Sequence, residues 1–287
     1  MQWRGVMENF LTSRIEGVIN ADRITIGKGV IVEPGVLISG NDRPAEEVVL
    51  GDFCYIGRES RILAPKFRLG DYSKLNAFCF SHGEEPLQIG RNCWFGGNVV
   101  LDSQGGLDID DNVGVGAHSQ LWTHIQFGDI VEGCRFFSQK YMYVGKDVWF
   151  VGHCIVSPVN IDERSMALVG SVITHDMISN RVYAGVPAVD VTDKFGPQFE
   201  ECGVEQKARR LSELFNAFYS SMPQYKDKLK IVTTPDDFDD RFTCFDVSTR
   251  TYTKRYDAAE YAFLKKYVPL VKFIPYGEPE FITHKKA

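Results

Sequence analysis

Residues 144–188 read VGKDVWFVGHCIVSPVNIDERSMALVGSVITHDMISNRVYAGVPA, and the spacing inside that stretch decides the fold. An aliphatic residue or Phe recurs every six positions at Val144, Phe150 and Val156, then at Ile161, Ala167 and Ile173 after a one-residue deletion. A small or short residue usually follows each start, as at Gly145, Val151, Ser157 and Asp162. Four places after the start comes another modest side chain: Val148, Cys154, Ser165, Ser171. A period of six suits neither an amphipathic helix nor a half-buried strand. It is the period of a β-helix in which three short strands make one coil and the coils stack. The first and fifth residues of each hexad fill a narrow triangular prism. The second sits at a corner, where a bulky Cβ would crowd the turn.

Working outward, the same pattern runs back to Ile26-Gly27 and on through Val32, Ile38, Leu50-Gly51, Ile56-Gly57, Ile62, Leu69-Gly70, Leu75, Ile89-Gly90, Phe95-Gly96, Leu101, Ile109, Val115-Gly116 and Leu121. Residues 1–23 read as a lead-in, a short helix or cap over the open end of the prism, because terminal coils expose an apolar end. Breaks fall at about 41–49, 63–68, 82–88, 103–108 and 125–143, each after the start of a coil's third hexad. Insertions at one phase of a solenoid lie on one edge, often the binding edge. Ser81-His82, Asp102-Ser103 and Trp122-Thr123-His124 are therefore expected to stack near one corner. The longest insertion, 125–143, is expected to project there as a loop with five aromatics and Arg135.

The repeat is expected to end near Asp176, with Pro187 marking the chain's exit, since Pro cannot serve an interior strand. From about 190 the character changes. Residues 205–218 have helical periodicity, 229–233 and 242–253 read as strands, and 271–274 as a last strand. Asp257-Ala258-Ala259-Glu260 is a capping box that opens a helix running through Tyr267. The expected layout is a cap over 1–23, a β-helix over 24–195 with its loop at 125–143, and a small α/β domain over 196–287.

The chain has 287 residues, 44% hydrophobic and 24% charged, the composition of a soluble globular protein. A net charge of −6 with no run of five like charges argues against nucleic acid and anionic membrane as partners. No 18-residue apolar run is present, so no bilayer span is expected. The first ten residues, MQWRGVMENF, lack the apolar core of a signal peptide. Of seven Cys, four (Cys54, Cys79, Cys93 and Cys154) occupy the inward fifth place of a hexad, and none forms a CxxC pair. A reducing cytoplasm is the expected compartment.

The motifs VGKDVWF, ALVGSVITHD and RVYAGVPA together resemble the hexapeptide-repeat acyltransferases, which include galactoside, maltose and xenobiotic acetyltransferases and nucleotide-sugar N-acetyltransferases. The resemblance covers roughly residues 24–195. It implies a mainly β fold, a left-handed parallel β-helix carrying the small C-terminal α/β extension, and an exception to the right-handed crossover rule. It also implies a homotrimer with sites between neighbouring prisms and acetyl-CoA, or another acyl-CoA, lying along the later coils. No metal is required.

The family's general base is a His on a late coil, and His124 is the best match. A neutral imidazole near pH 7 suits removal of a proton from an attacking hydroxyl or amine. Backbone N–H groups along the coil would serve the oxyanion. The bland reading of His124 is a polar loop residue. His82, on the same edge, is a second candidate as base or acceptor ligand. His118 and His153 occupy fourth places and read as solvated or interface residues. Lys146, His175 and Arg181 are the candidates for the CoA phosphates. His175 departs from the Lys usual in that motif, which leaves open which cation meets them. Main-chain groups at Gly170 and Ser171 would hold the pantetheine arm. Asp102, Trp122 and Arg135 are candidate acceptor contacts. Asp102 also fills a common corner position, and any one surface cation is by default merely solvated. Trp94 and Trp149, at outward sixth places, suit a subunit interface or a stacking surface.

The function expected is acyl transfer to an amino or hydroxyl group of a sugar. A nucleotide-linked amino sugar destined for surface polysaccharide fits best. Two other readings stand beside it. A non-catalytic scaffold or binding module would keep the repeats, because fold does not establish function. A γ-class carbonic anhydrase shares the prism, but its zinc needs two His five residues apart on one coil. His118 and His124 are six apart, and Trp stands at 122. A fused sugar nucleotidyltransferase is not expected, since some 23 residues precede the repeat.

Overall fold

The computed structural model describes residues 9–282. The described chain divides into two compact units, one of residues 9–199 with 281–282 and one of residues 200–280.

The first unit is a left-handed parallel β-helix with the three-strand coil that the hexad period requires. Three sheets form its faces. The first stacks Arg14–Ile15, Ile31–Val32, Tyr55–Ile56, Lys74–Leu75, Trp94–Phe95, Gly114–Val115, Trp149–Phe150, Met166–Ala167 and Val182–Gly185 in parallel. The second stacks eight strands from Val18–Ile19 to Val172–Ile173, and the third six strands from Ile24–Ile26 to Met142–Val144. Each strand bonds to its equivalent one coil away. Leu75 pairs with Ile56 and Phe95, and Ser81 pairs with Ile62 and Leu101. Adjacent strands are spaced by about 4.8 Å, so like side chains form ladders. The inward ladders are aliphatic and aromatic, and Ile56, Phe67, Phe95, Leu101, Phe150 and Val156 are fully buried. Burying each such side chain contributes roughly 1.5–3 kcal/mol. The four fifth-place Cys are buried too, and burial pushes the Cys79 thiol up to about 11, so it acts as a small apolar filler.

Two of the three corners are regular. Between the first and second faces the turn has four residues, and its third residue takes a left-handed φ: 63° at Phe78, 59° at Asn98, 60° at His118 and 51° at His153. The turn between the third and first faces repeats the device at Phe53, Tyr72, Asn92, Asn112 and Asp147. The hexad's second place is tight for the reason expected: a Cβ on Gly116 would lie 1.9 Å from the carbonyl oxygen of Val151.

The sequence expectation is corrected at both ends of the prism. Residues 14–26 are not a helix or cap but a further coil, with Ile15 paired to Val32 and Ile19 to Ile38. Its first corner is two residues shorter than its neighbour's, and that deletion hid the period. The part of the lead-in over residues 1–8 lies outside the described residues. At the other end, the first face continues past Asp176 with Val182–Gly185, which folds back on Ala188–Asp190.

The second unit has a four-stranded sheet of Leu229–Val232, Thr243–Asp246, Thr251–Tyr252 and Ile274–Pro275, with helices at Val204–Ser221 and Ala258–Tyr267. The helix opens at Asp257 as read, with the return bonds of the capping box made one and two residues earlier than the N-cap amide. Asp257 accepts the Glu260 amide at 2.8 Å, and Glu260 reaches back to the amides of Arg255 at 2.7 Å and Tyr256 at 3.2 Å. Glu260 is fully buried. Burial, with Asp257 nearby, raises its carboxyl to about 7.

Candidate functional site

The third corner, between the second and third faces, is irregular. It is two residues long at Ala64-Pro65, four at 83–86 and 103–106, and twenty at 122–141 once the 124–126 strand is counted. The second-face strands Phe80–His82 and Val100–Asp102 end there with His82 directly opposite Asp102. On the next coil the second-face strand ends at Leu121, and Trp122, Thr123 and His124 follow. Ladder geometry alone thus brings three separated segments to one place, as the position of the breaks implied.

Asp102 is the centre of this cluster and is fully buried. Its Oδ2 accepts from the Thr123 amide at 2.7 Å, from the Thr123 hydroxyl at 2.7 Å and from His124 Nδ1 at 2.8 Å. Its Oδ1 faces His82 Nε2 at 3.7 Å, beyond hydrogen-bond reach but within charge contact. A carboxylate only accepts, so Nδ1 of His124 is the donor of this bond, and in the neutral ring Nε2 presents a lone pair. The two imidazoles meet edge to face with centroids 5.9 Å apart. Both are partly open, His82 by 33% and His124 by 21% of the side chain. A buried acceptor holding a partly exposed imidazole in one tautomer is the arrangement a general base requires.

Two glycines and a threonine make that placement rigid. Thr123 Oγ1 accepts the Gly105 amide at 2.9 Å while donating to Asp102, so the next turn of the corner is tied to the carboxylate. A Cβ on Gly105 would lie 2.2 Å from the carbonyl oxygen of Lys140, and one on Gly83 would lie 2.1 Å from the Ser103 carbonyl carbon. Both turns therefore approach their neighbours as only glycine permits. Thr123 and Gly105 carried no signal by which the sequence set them apart. Their role exists only once coils are stacked.

The 125–143 insertion is more ordered than a loop. His124–Gln126 pairs antiparallel with Phe137–Gln139, so His124 itself begins a hairpin. Phe127, Ile130, Val131 and Phe136 stand exposed on it. Its return is anchored by Tyr141, whose hydroxyl donates to Asp108 at 2.6 Å. Burial and that bond hold the phenol protonated.

Of the remaining candidates, Trp122 lies within the cluster, its ring 6.3 Å from that of His124 and its Nε1 donating to Gln120 at 3.1 Å. Arg135 is exposed on the hairpin. The five positions considered for CoA do not converge within one chain. His175 follows the second face at the irregular corner. Lys146 and Arg181 stand at the corner between third and first faces, and Gly170 and Ser171 at the corner between first and second. The Ser171 side chain is buried and donates to the Leu168 carbonyl at 2.6 Å. Arg181 pairs with Asp190 at 3.5 Å. His118 and His153 stack on each other with centroids 4.9 Å apart, a full face away from His124. Trp94 and Trp149 stand outward on the first face, flanking Gly114. Among the described residues no group of three or more His, Cys, Asp or Glu could hold a metal ion, and no helix is long and apolar enough to cross a membrane.

No family model matches the chain. Over 112 residues it is 30% identical to the galactoside O-acetyltransferase of Escherichia coli (strain K12), an alignment that covers 38% of this chain and 54% of that protein. The chain thus spans about half the length of the curated relative it matches. Among solved structures, the polySia-specific acetyltransferase NeuO aligns with a TM-score of 0.49 and 16% identity, covering 69% of this chain and 95% of that one. The UDP-N-acetylglucosamine acyltransferase from Campylobacter jejuni aligns with a TM-score of 0.44 and 14% identity, covering 73% and 85%. The resemblance to hexapeptide-repeat acyltransferases read from the repeat is borne out by the alignment to the galactoside enzyme.

Proposed function

We propose that this chain is an acyl-CoA-dependent acyltransferase that moves an acetyl or similar acyl group to an amino or hydroxyl group of a sugar. The observation that carries the reading is the 2.8 Å bond between buried Asp102 and Nδ1 of His124 at the irregular corner of the prism. The 112-residue likeness to a sugar O-acetyltransferase supports it.

In this reading His124 Nε2 takes the proton from the acceptor as its oxygen or nitrogen attacks the thioester carbonyl. Asp102 holds the ring in the tautomer that leaves Nε2 free, and it stabilises the imidazolium that forms. Thr123 positions Asp102. The acyl carbon passes through a tetrahedral oxyanion. When that collapses, the C–S bond breaks and the proton on Nε2 neutralises the departing thiolate. The chain's acyl-CoA candidates lie at three corners, so a closed ring of copies is needed to bring some of them beside His124. A homotrimer acting in the cytoplasm completes the proposal, with Lys146, His175 or Arg181 on a neighbouring copy meeting the CoA phosphates.

The test is calorimetric titration of acetyl-CoA into the full chain and into His124→Ala, together with thiol release in the presence of sugar acceptors. Binding retained by the variant with turnover lost by about 10²–10⁴-fold is the expected result. Absence of heat with the unmodified chain sinks the reading. A sedimentation mass of one or two chains removes the trimer.

A further inference from the structure

Two imidazoles share Asp102, and a sugar hydroxyl needs only one of them. An alcohol arrives neutral and gives up a single proton on acylation. A sugar amine arrives near pH 7 as an ammonium ion. It must lose one proton before its nitrogen has a lone pair and a second from the tetrahedral adduct. The geometry points to an acceptor of that class: resting on the acyl-transfer reading above, we infer that the acceptor is a protonated amino sugar and that His82 takes its first proton.

The electrostatics of the neighbouring corner agree. The turn after His82 is Gly83-Glu84-Glu85. Because the corner one coil earlier is only Ala64-Pro65, the longer turns on either side of it leave a cavity of about 340 Å³ lined by Gly40, Asn41, Asp42, Arg43, Pro65 and Glu84. That volume is within the range of small-ligand sites. Asn41 Nδ2 donates to the Gly83 carbonyl at 2.9 Å and to Glu84 Oε1 at 2.8 Å, which closes the cavity's rim and fixes the Glu84 carboxylate. The one cation in the lining, Arg43, is matched by Glu46 at 3.6 Å. Asp42 and Glu84 therefore give the cavity an acidic balance, which raises the local concentration of a cation and disfavours a phosphorylated group. The groups facing His82 are Asp102 at 3.7 Å, the His124 ring and the Phe80 ring at 5.5 Å, and Glu84 and Glu85 follow it in the same turn.

The steps balance. The ammonium gives one proton to His82, and the freed lone pair forms the C–N bond to the thioester carbon while the C=O π pair moves to oxygen. The nitrogen of that adduct is still cationic, and its second proton goes to His124. The C=O bond re-forms, the C–S bond breaks, and the thiolate takes the proton from His124. His82 returns its proton to solvent through its partly open edge. The products are an amide, free CoA and one proton.

The experiment uses the full chain with acetyl-CoA and two matched acceptors, methyl glucosaminide and methyl glucoside, followed by thiol release and product mass between pH 6 and pH 9. The expected result is an N-acetyl product only. His82→Gln is expected to lose at least tenfold in kcat/KM for the amine at pH 6 and to recover as rising pH supplies free amine, whereas His124→Gln stays low throughout. Glu84→Gln raises KM for the amine and leaves acetyl-CoA binding unchanged. A product from the glucoside alone, a His82→Gln loss that does not shrink with pH, or acetyl-CoA binding with neither acceptor acetylated overturns the inference. Absence of acetyl-CoA binding overturns the acyltransferase reading instead.

Discussion

The two kinds of corner in the prism behave oppositely. Between the first and second faces every turn from 57–60 onward repeats one four-residue geometry, with Glu59, Phe78, Asn98, His118, His153 and Gly170 stacked at left-handed φ. Between the second and third faces the turns run from two residues at 64–65 to twenty at 122–141, and there the chain collects a buried carboxylate, two imidazoles and a cavity. The regular corner is under a steric constraint that leaves little freedom for chemistry. The irregular corner is free in length because loop closure costs grow slowly with loop size. That freedom is what lets side chains of successive coils be aimed at one another.

The contrast can be broken most severely through the site. Asp102→Ala is expected to reduce turnover by about 10²–10⁴-fold, as it removes the acceptor that fixes the His124 tautomer. His118→Ala, on the regular corner, should stay within about twofold of the parent in the same thiol-release assay. Equal losses would mean that the corners do not divide labour.

Length tolerance gives the next test. Gly116→Ala at the regular corner forces a Cβ against the Val151 carbonyl oxygen and is expected to cost on the order of 3 kcal/mol or more in denaturant unfolding. Replacing residues 127–136 with a short Gly-Ser link should leave the unfolding midpoint of the prism nearly unchanged. The exposed Phe127, Ile130, Val131 and Phe136 contribute little buried area to lose.

The second unit offers a pH control independent of the prism. Its buried Glu260 has a carboxyl raised from 4.5 to about 7. A folded-state value above the unfolded one means the folded form binds the proton more tightly. The contribution is therefore full below about pH 4.5, is lost as pH rises towards 7, and amounts to on the order of 3 kcal/mol. Hydrogen exchange of the Ala258–Tyr267 helix should show that decline, and Glu260→Gln should flatten it. A helix equally protected at pH 5 and pH 8 contradicts the assignment.

The smallest effect sharpens the view of where polar groups are tolerated. Ser81 points into the prism between Ile62 and Leu101, fully buried, and its hydroxyl has no hydrogen-bond partner. Ser81→Ala is expected to stabilise the prism by about 1 kcal/mol in equilibrium unfolding. A loss of stability would show that the hydroxyl is satisfied in solution.

Much of the fold was legible because each prism residue meets its own equivalent one coil away. Ile56, Leu75 and Phe95 declare the same inward ladder by their spacing alone. The extra coil at 14–26 is not legible in the period because its shortened corner breaks that spacing. The capping box at Asp257–Glu260 was readable since its bonds are local. Grouping His82, Asp102 and His124 at one corner followed from the phase of the breaks.

The prism, its phase and the corner where chemistry gathers are thus written in the residue spacing. All of these follow from a six-residue period that a solenoid enforces on its nearest neighbours. The tertiary structure decided the rest: that Asp102 bonds His124 and faces His82, that Thr123 and Gly105 lock it, and that Asn41 reaches Glu84 across a shortened coil. Those contacts join side chains from different coils across turns of unequal length, and no periodicity encodes the distance between them.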